Sequence, residues 1–156
     1  MRRRISFTAS GPVRGQGRPR AYVRPSGHAG LYQTDADMSY REMLRILALE
    51  AMREAGYMSA ATGSISGFRV YMRVWKKIPS SWPKKRQAEA AEGRIPLASK
   101  PDIDNVVKMV LDAMNGIVYP DDRLVVSVMA CKGWSLDDAL DVTVIWDDGK
   151  EDGDAV

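Results

Sequence analysis

Lys100-Pro101-Asp102-Ile103-Asp104-Asn105-Val106-Val107-Lys108 opens the most informative stretch of the chain, which continues through Asp112 to Tyr119-Pro120-Asp121-Asp122-Arg123. Its apolar residues repeat with helical period. Ile103, Val106, Val107, Val110, Leu111 and Met114 fall at offsets 0, 3, 4, 7, 8 and 11 and form one face. Pro101 pushes the residue before it extended, so the helix starts just after it, and Asn115-Gly116 ends it. Tyr119-Pro120-Asp121-Asp122 has turn chemistry, and Arg123 to Met129 then reads as a strand. The stretch gathers five aspartates, Asp102, Asp104, Asp112, Asp121 and Asp122, in a chain of net charge +3. Neighbouring carboxylates repel, so their concentration in a basic protein requires a reason.

The flanking sequence supplies the rest of an α+β fold. Arg4 to Ala9 alternates as a first strand, and the Gly-, Pro- and Arg-rich Gly11 to Gly30 reads as a loop or ragged ribbon. Asp35 or Asp37 caps a helix running to about Ala55, with Leu44, Leu47, Ala51 and Met52 on its buried side and Gly56 as its stop. Ser66 to Lys76 alternates around Phe68, Val70, Met72 and Val74, which predicts a strand. Pro79 to Glu92 predicts a shorter helix bearing Lys84, Lys85 and Arg86, and Leu140 to Trp146 a last strand. The order of elements points to a sheet layered against helices. With 156 residues and no internal repeat, the expectation is one domain over residues 1–147, followed by an acidic, flexible tail over 148–156 that carries no chemistry.

Composition removes several function classes. No apolar run is long enough to span a membrane, and the basic N-terminus lacks the apolar core of a secretory signal. A single cysteine, Cys131, makes no internal disulfide and fits a reducing cytoplasm. With one cysteine and one histidine, His28, thiolate-rich and His-pair metal sites are excluded. Any metal is therefore held mainly by oxygen, which selects Mg²⁺ or Mn²⁺.

Charge is segregated along the chain. Residues 1–34 hold seven arginines, Arg2, Arg3, Arg4, Arg14, Arg18, Arg20 and Arg24, and no acid. Residues 137–156 hold eight acids against Lys150 alone. Such polarity suits a polyanion binder.

Each aspartate has a structural explanation when taken singly. Asp102 is placed to cap the helix, Asp104 favours its dipole, Asp112 is spaced to pair with Lys108, and Asp121 and Asp122 shape a turn. Taken together they support a second reading. Because Pro101 sets the helix boundary, Asp102 and Asp104 can converge, with Asp122 arriving from the turn as a third ligand. Lys108, one turn after Asp104, can meet a phosphate oxygen. Oxygen-bound Mg²⁺ beside a lysine suits phosphodiester hydrolysis.

These residues resemble a known family. Asp102-x-Asp104-Asn105-x-x-Lys108, then Leu111-Asp112-Ala113-Met114-Asn115-Gly116 and Asp121-Asp122-x-x-Val125, are similar to the RusA family of Holliday junction resolvases, whose members are often prophage-encoded. The likeness is tight from Lys100 to Val126, weaker at Gly15 to Arg20 and Tyr32, and vague elsewhere. It implies a homodimer with a mixed β-sheet flanked by α-helices. It also implies an Mg²⁺-dependent endonuclease that resolves four-way DNA junctions by paired nicks, leaving 5′-phosphate and 3′-hydroxyl ends. By position, the acidic triad falls on Asp102, Asp104 and Asp122, and the functional lysine on Lys108. Asp121 is the alternative third ligand, Asp112 a further metal contact or structural partner, and Asn105 an orienting neighbour. The resemblance puts the sites on a shared basic face. Arg14, Arg18, Arg20 and Arg24, with Arg2, Arg3, Arg4 and the cluster Lys84, Lys85 and Arg86, are the residues available to line it.

A two-fold dimer also follows from the substrate, since a junction offers two symmetry-related phosphates and one chain only one carboxylate cluster. The rival readings are a looser nuclease for flaps and forks, and a non-catalytic DNA-binding protein whose acids are caps and turns. Among the remaining residues, Cys131 is expected in the core. Trp75, Trp134 and Trp146 are expected in core or interface, and His28 is expected in contact with DNA or solvent. Trp82 is a candidate for stacking on an unpaired base, and Tyr22 and Tyr32 for contact with DNA.

Overall fold

Alternation decides the sheet. Burying every second residue puts Ile5, Phe7 and Ala9 of β1 (Arg2–Ser10) on one face. Phe68, Val70, Met72 and Val74 of β4 (Phe68–Lys77) join them, with Leu140, Val142, Val144 and Trp146 of β6 (Ala139–Asp147). The computed structural model describes residues 1–18, 20–61 and 67–149, without the side chains of Leu31 and Tyr32. The strands lie in the order β1-β6-β4-β5. β6 is antiparallel to both β1 and β4, whereas β5 (Val125–Ser135) runs parallel to β4, so the sheet is mixed. A parallel pair needs a crossover. Here the crossover carries α2 (Lys84–Ala91) and α3 (Ile103–Met114), which places the whole acidic stretch between two neighbouring strands.

The buried face of the sheet is covered by α3 and by α1 (Asp35–Glu54). Tyr40, Leu44, Ala48 and Met52 of α1 share one core with Val106, Met109, Val110, Ala113 and Met114 of α3. The buried arc of α3 is thus rotated from the face expected from sequence. Met109 and Ala113 are inside, while Ile103 is 37% exposed. The apolar arc of this helix is wider than its contact with sheet and α1.

Several boundaries differ from the expectations for physical reasons. Thr34 caps α1, its hydroxyl accepting from the Asp37 N–H at 3.3 Å, and Gly56 at φ 86° ends the helix region. Gly11 to Gly30 contains a hairpin, β2 (Arg20–Val23) and β3 (Ala29–Tyr32), in which Gly30 leaves room for the Tyr22 ring opposite it. α2 is shorter than expected because Pro83 is its boundary residue; Gln87 reaches back to the Trp82 carbonyl at 2.7 Å. β5 extends to Ser135, beyond the expected Met129. Cys131, expected in the core, is exposed on the face opposite the helices, paired in register with Arg73. Asp148, assigned to the tail, pairs with Arg3. Residues 150–156 of that tail, Ser66 of the expected strand and the Tyr32 side chain lie outside the described residues.

Asp37 is the one buried charge among the described residues. Burial acts to raise its pKa. Hydrogen bonds from Thr34, from the Arg14 guanidinium at 3.1 Å and from the Gly17 N–H outweigh that and hold it below the ordinary 3.8. A carboxyl depressed on folding contributes stability above its unfolded pKa and loses it as pH falls through the folded value. Asp37→Ala is therefore expected to lower unfolding stability by about 1–3 kcal/mol at pH 7. The gap to the wild type should narrow below about pH 4, read by urea titration at pH 7 and pH 3.

Candidate metal centre and nucleic-acid interface

α3 begins at Asp102, the N-cap residue, with φ −69° and ψ 129°. Its carboxylate does not cap the helix; it accepts instead from the Lys100 ammonium at 3.3 Å. Asp104 stands exposed in the first turn, and Lys108 follows exposed one turn later.

The backbone before Asp102 is held from the sheet. Lys132 on β5 donates to the carbonyls of Ser99 at 2.7 Å and Pro101 at 3.1 Å. Lys76 on β4 donates to the carbonyl between them, that of Lys100, at 3.1 Å. From the other side, the Gln16 N–H donates to the Asn105 carbonyl at 2.9 Å, and Gly15 lies against Asn105. Asn105, read from sequence as an orienting neighbour, meets this segment through its backbone and Cβ. A cleft of about 370 Å³ opens beside Pro101, with Arg14, Lys76 and Lys100 on its wall and Val13 and Val74 below.

The remaining acids sit at the other end of the helix. Tyr119 is buried and donates to the Leu111 carbonyl at 3.0 Å. Its pKa is pushed up first by burial and then by the negative charges of Asp122 and Asp112. Asp121 caps the single 3₁₀ turn Asp122–Leu124, accepting from the Arg123 N–H at 2.9 Å, whereas Asp122 is exposed. A helix rises about 1.5 Å per residue, so Asp104 and Asp112 are about 12 Å apart along its axis. Among the described residues, no three His, Cys, Asp or Glu side chains are grouped to hold an ion. Asp102 and Asp104 thus stand at the start of α3 and Asp112 in its last turn. One chain does not bring Asp102, Asp104 and Asp122 together.

The basic residues also divide. Arg3 and Arg14 are engaged within the chain by Asp148 and Asp37. Arg18 is exposed, Arg20 and Arg24 lie on the exposed hairpin strand and just after it, and Arg24 leans on the Tyr22 ring at 5.9 Å. His28 is part of this hairpin, its carbonyl accepting from the Arg24 N–H. Lys84, Lys85 and Arg86 are exposed on α2, which packs on β5. Arg86 covers the Trp82 ring at 3.9 Å, and Trp82 meets Trp134 edge-on at 4.9 Å, so the indole is already engaged on one face. Trp146 is core, whereas Trp75 is half-buried and donates to Asp141 at 2.8 Å.

Sequence reasoning missed Lys76, Lys132 and Gln16. The signal for Lys132 was available, namely a lysine at an inward-facing strand position in register with buried Val74. A strand ending at Met129 does not include it, whereas β5 runs to Ser135.

Residues 11–145 match the family Endodeoxyribonuclease RusA. The chain belongs to the RusA endodeoxyribonuclease family. A curated relative, Uncharacterized protein YqaN of Bacillus subtilis (strain 168), is 31% identical over 141 residues, covering 90% of this chain and 94% of the relative. RusA enzymes are Holliday junction endodeoxyribonucleases, generally dependent on a divalent metal, and the chain is an enzyme of that class. Among the described residues, no helix is long and apolar enough to cross a membrane.

The Gly15 contact is testable by stability. A Cβ at Gly15 would lie 2.7 Å from Asn105 Cβ and 3.3 Å from its carbonyl carbon, atoms fixed by the first turn of α3. Gly15→Ala is expected to cost about 1–3 kcal/mol in urea unfolding through overpacking.

Proposed function

We propose that the protein is a homodimeric, Mg²⁺-dependent resolvase that cuts four-way DNA junctions by paired symmetric nicks. The observation that supports this most is the N-terminal end of α3. There two exposed carboxylates, Asp102 and Asp104, share a helix boundary beside a cleft walled by Arg14, Lys76 and Lys100, with Lys108 one turn on. The donors are hard oxygens, which fits Mg²⁺ and allows Mn²⁺ to substitute. They fit in kind but are few in number. A cation at a helix N-terminus is opposed by the dipole, so two carboxylates alone hold it weakly. Asp122 is the stronger third candidate, because Asp121 is already committed to the Arg123 N–H.

A divalent ion held there supplies a water of lowered pKa and neutralises charge on the phosphate. The chain's own residues do the rest. Lys76 and Lys132 keep the loop before Asp102 in place, and Lys108 is positioned to meet a phosphate oxygen. Arg18, Arg20 and Arg24 and the α2 cluster Lys84, Lys85 and Arg86 contact the backbone of branched DNA, giving affinity without sequence information. Water adds to phosphorus, the bond to the 3′ oxygen breaks and that oxygen takes up a proton, leaving 5′-phosphate and 3′-hydroxyl ends. Resolving junctions serves DNA recombination and repair; a cytoplasmic enzyme, with a prophage gene as a fitting source, is the reading consistent with that role.

Purified protein is expected to nick a synthetic four-way junction symmetrically in Mg²⁺ and not in EDTA. Asp104→Asn should bind the junction with unchanged affinity and cut at least a hundredfold more slowly, on the order of the loss for one essential catalytic group. Cutting by this variant at the wild-type rate would sink the assignment. Flaps and forks tested at equal protein concentration distinguish a resolvase from a looser branched-DNA nuclease. No cleavage with Mg²⁺ or Mn²⁺, and no rise in melting temperature on adding either, would leave a DNA-binding protein whose acids are caps and turns.

A further inference from the structure

α1 and α3 share their core with Ile5, Phe7, Val70 and Val142, all on one face of the sheet, and the alternate residues form a second, uncovered face. A solvated face is ordinary where strands run antiparallel. Its composition here is not. Along β4 it reads Arg69-x-Tyr71-x-Arg73-x-Trp75, with cation and aromatic ring alternating. Arg4 of β1 and Arg69 of β4 both pair in register with Ile145 of β6, so they flank it about 10 Å apart.

Charge on this face is unbalanced. Arg2, Arg4, Arg69 and Arg73 are exposed, and among the described residues none of the four is ion-paired. The acids beside them are occupied. Asp141 accepts from the Thr8 hydroxyl at 2.7 Å and from the Trp75 indole N–H at 2.8 Å, and Asp147 from the N-terminal ammonium at 3.2 Å. The Trp75 ring is therefore fixed at its edge. It also crosses Gly133, where a Cβ would stand 3.0 Å from its Cζ3. Tyr71, Arg73, Met129, Cys131, Asp141 and Thr143 bound a cleft of about 230 Å³ on the same face. Trp75 lines the larger cleft beside Pro101 as well, so the alternating row leads towards the start of α3.

We propose that the uncovered face of the sheet binds single-stranded DNA, with bases stacked on Tyr71 and Trp75 and phosphates met by Arg4, Arg69 and Arg73. Unpaired bases suit both features of the face, since rings take bases and cations track the backbone. A duplex keeps its base faces within the stack and would use the cations alone. A protein partner fits less well, because an interface needs an apolar core. Among the described residues, Met129 is the one large exposed apolar side chain that the strands supply to this face. A ring already held in place loses little freedom on stacking, which favours binding. The binding needs no metal and does not depend on the ion site at α3.

Two measurements test this, both in EDTA so that no strand is cut. The first is fluorescence anisotropy of an end-labelled oligothymidylate of about 16 nucleotides, a length that one domain can cover. Tyr71→Ala should weaken binding about tenfold, and Tyr71→Phe, which keeps the ring, should bind as the wild type does. The double variant Arg69→Gln, Arg73→Gln changes two exposed side chains. It should flatten the slope of log affinity against log salt by about 1.4, the share of two phosphate contacts on a single strand. The second measurement uses Cys131, the chain's one cysteine, which lies in the cleft beside Tyr71 and Arg73. Saturating oligothymidylate should slow its alkylation by a maleimide severalfold. Where Tyr71→Ala fails to fold, the arginine variant and the alkylation rate decide. Wild-type binding by Tyr71→Ala, an unchanged salt slope in the arginine variant, or an unchanged alkylation rate at saturation would each overturn the proposal. An equal loss for Tyr71→Ala on duplex DNA of the same length would overturn it too.

Discussion

Three consecutive carbonyls, those of Ser99, Lys100 and Pro101, are gripped by the ammonium groups of Lys76 and Lys132. Hydrogen bonds from a charged donor are among the stronger ones available to a backbone acceptor, about 1.5–3 kcal/mol each. Both lysines come from adjacent parallel strands, so the sheet itself sets where the crossover re-enters the core and where α3 starts. The Gln16-to-Asn105 bond and the close approach of Gly15 hold the same turn from the opposite side. The backbone that carries Asp102 and Asp104 is thus tied to the sheet on one side and to the N-terminal segment on the other.

That dependence explains what could and could not be read from the chain. α3 was legible because its boundaries are chemical. Pro101 precedes it, and Asn115 with Gly116, at φ 78°, ends it. The buried strands were legible from period-two alternation. The hairpin was not, because β2 is exposed, neither short strand carries apolar alternation, and glycine and proline around them favour many turns. β5 was cut short for a related reason. An edge strand has one free side, so its burial alternation fades and Val126 to Met129 are all exposed. The lysine grip depends on contacts between residues about thirty positions apart, which no local pattern reports.

The basic character of the chain is likewise only partly a surface property. Arg3 and Arg14 answer internal carboxylates, and Arg86 lies over an indole. Exposed cations remain on the hairpin and on α2, among them Arg20, Lys84 and Lys85. Lys100 and Lys76 line the cleft between the N-terminal segment and the start of α3. The start of α3 therefore sets cations and exposed carboxylates side by side.

The concentration of acids in a basic chain now has a physical resolution. Asp104, Lys108 and Asp112 repeat every four residues along one face of α3, so an ammonium sits between the two carboxylates, about 6 Å along the axis from each. The carboxylates themselves are about 12 Å apart, beyond the screening length of about 8 Å at physiological salt. Asp104 and Asp112, close in sequence, barely repel each other in the folded chain. A helix of twelve residues is too long for one ion to reach the acids at both of its ends. The same length that relieves the repulsion therefore denies a single chain a full set of ligands.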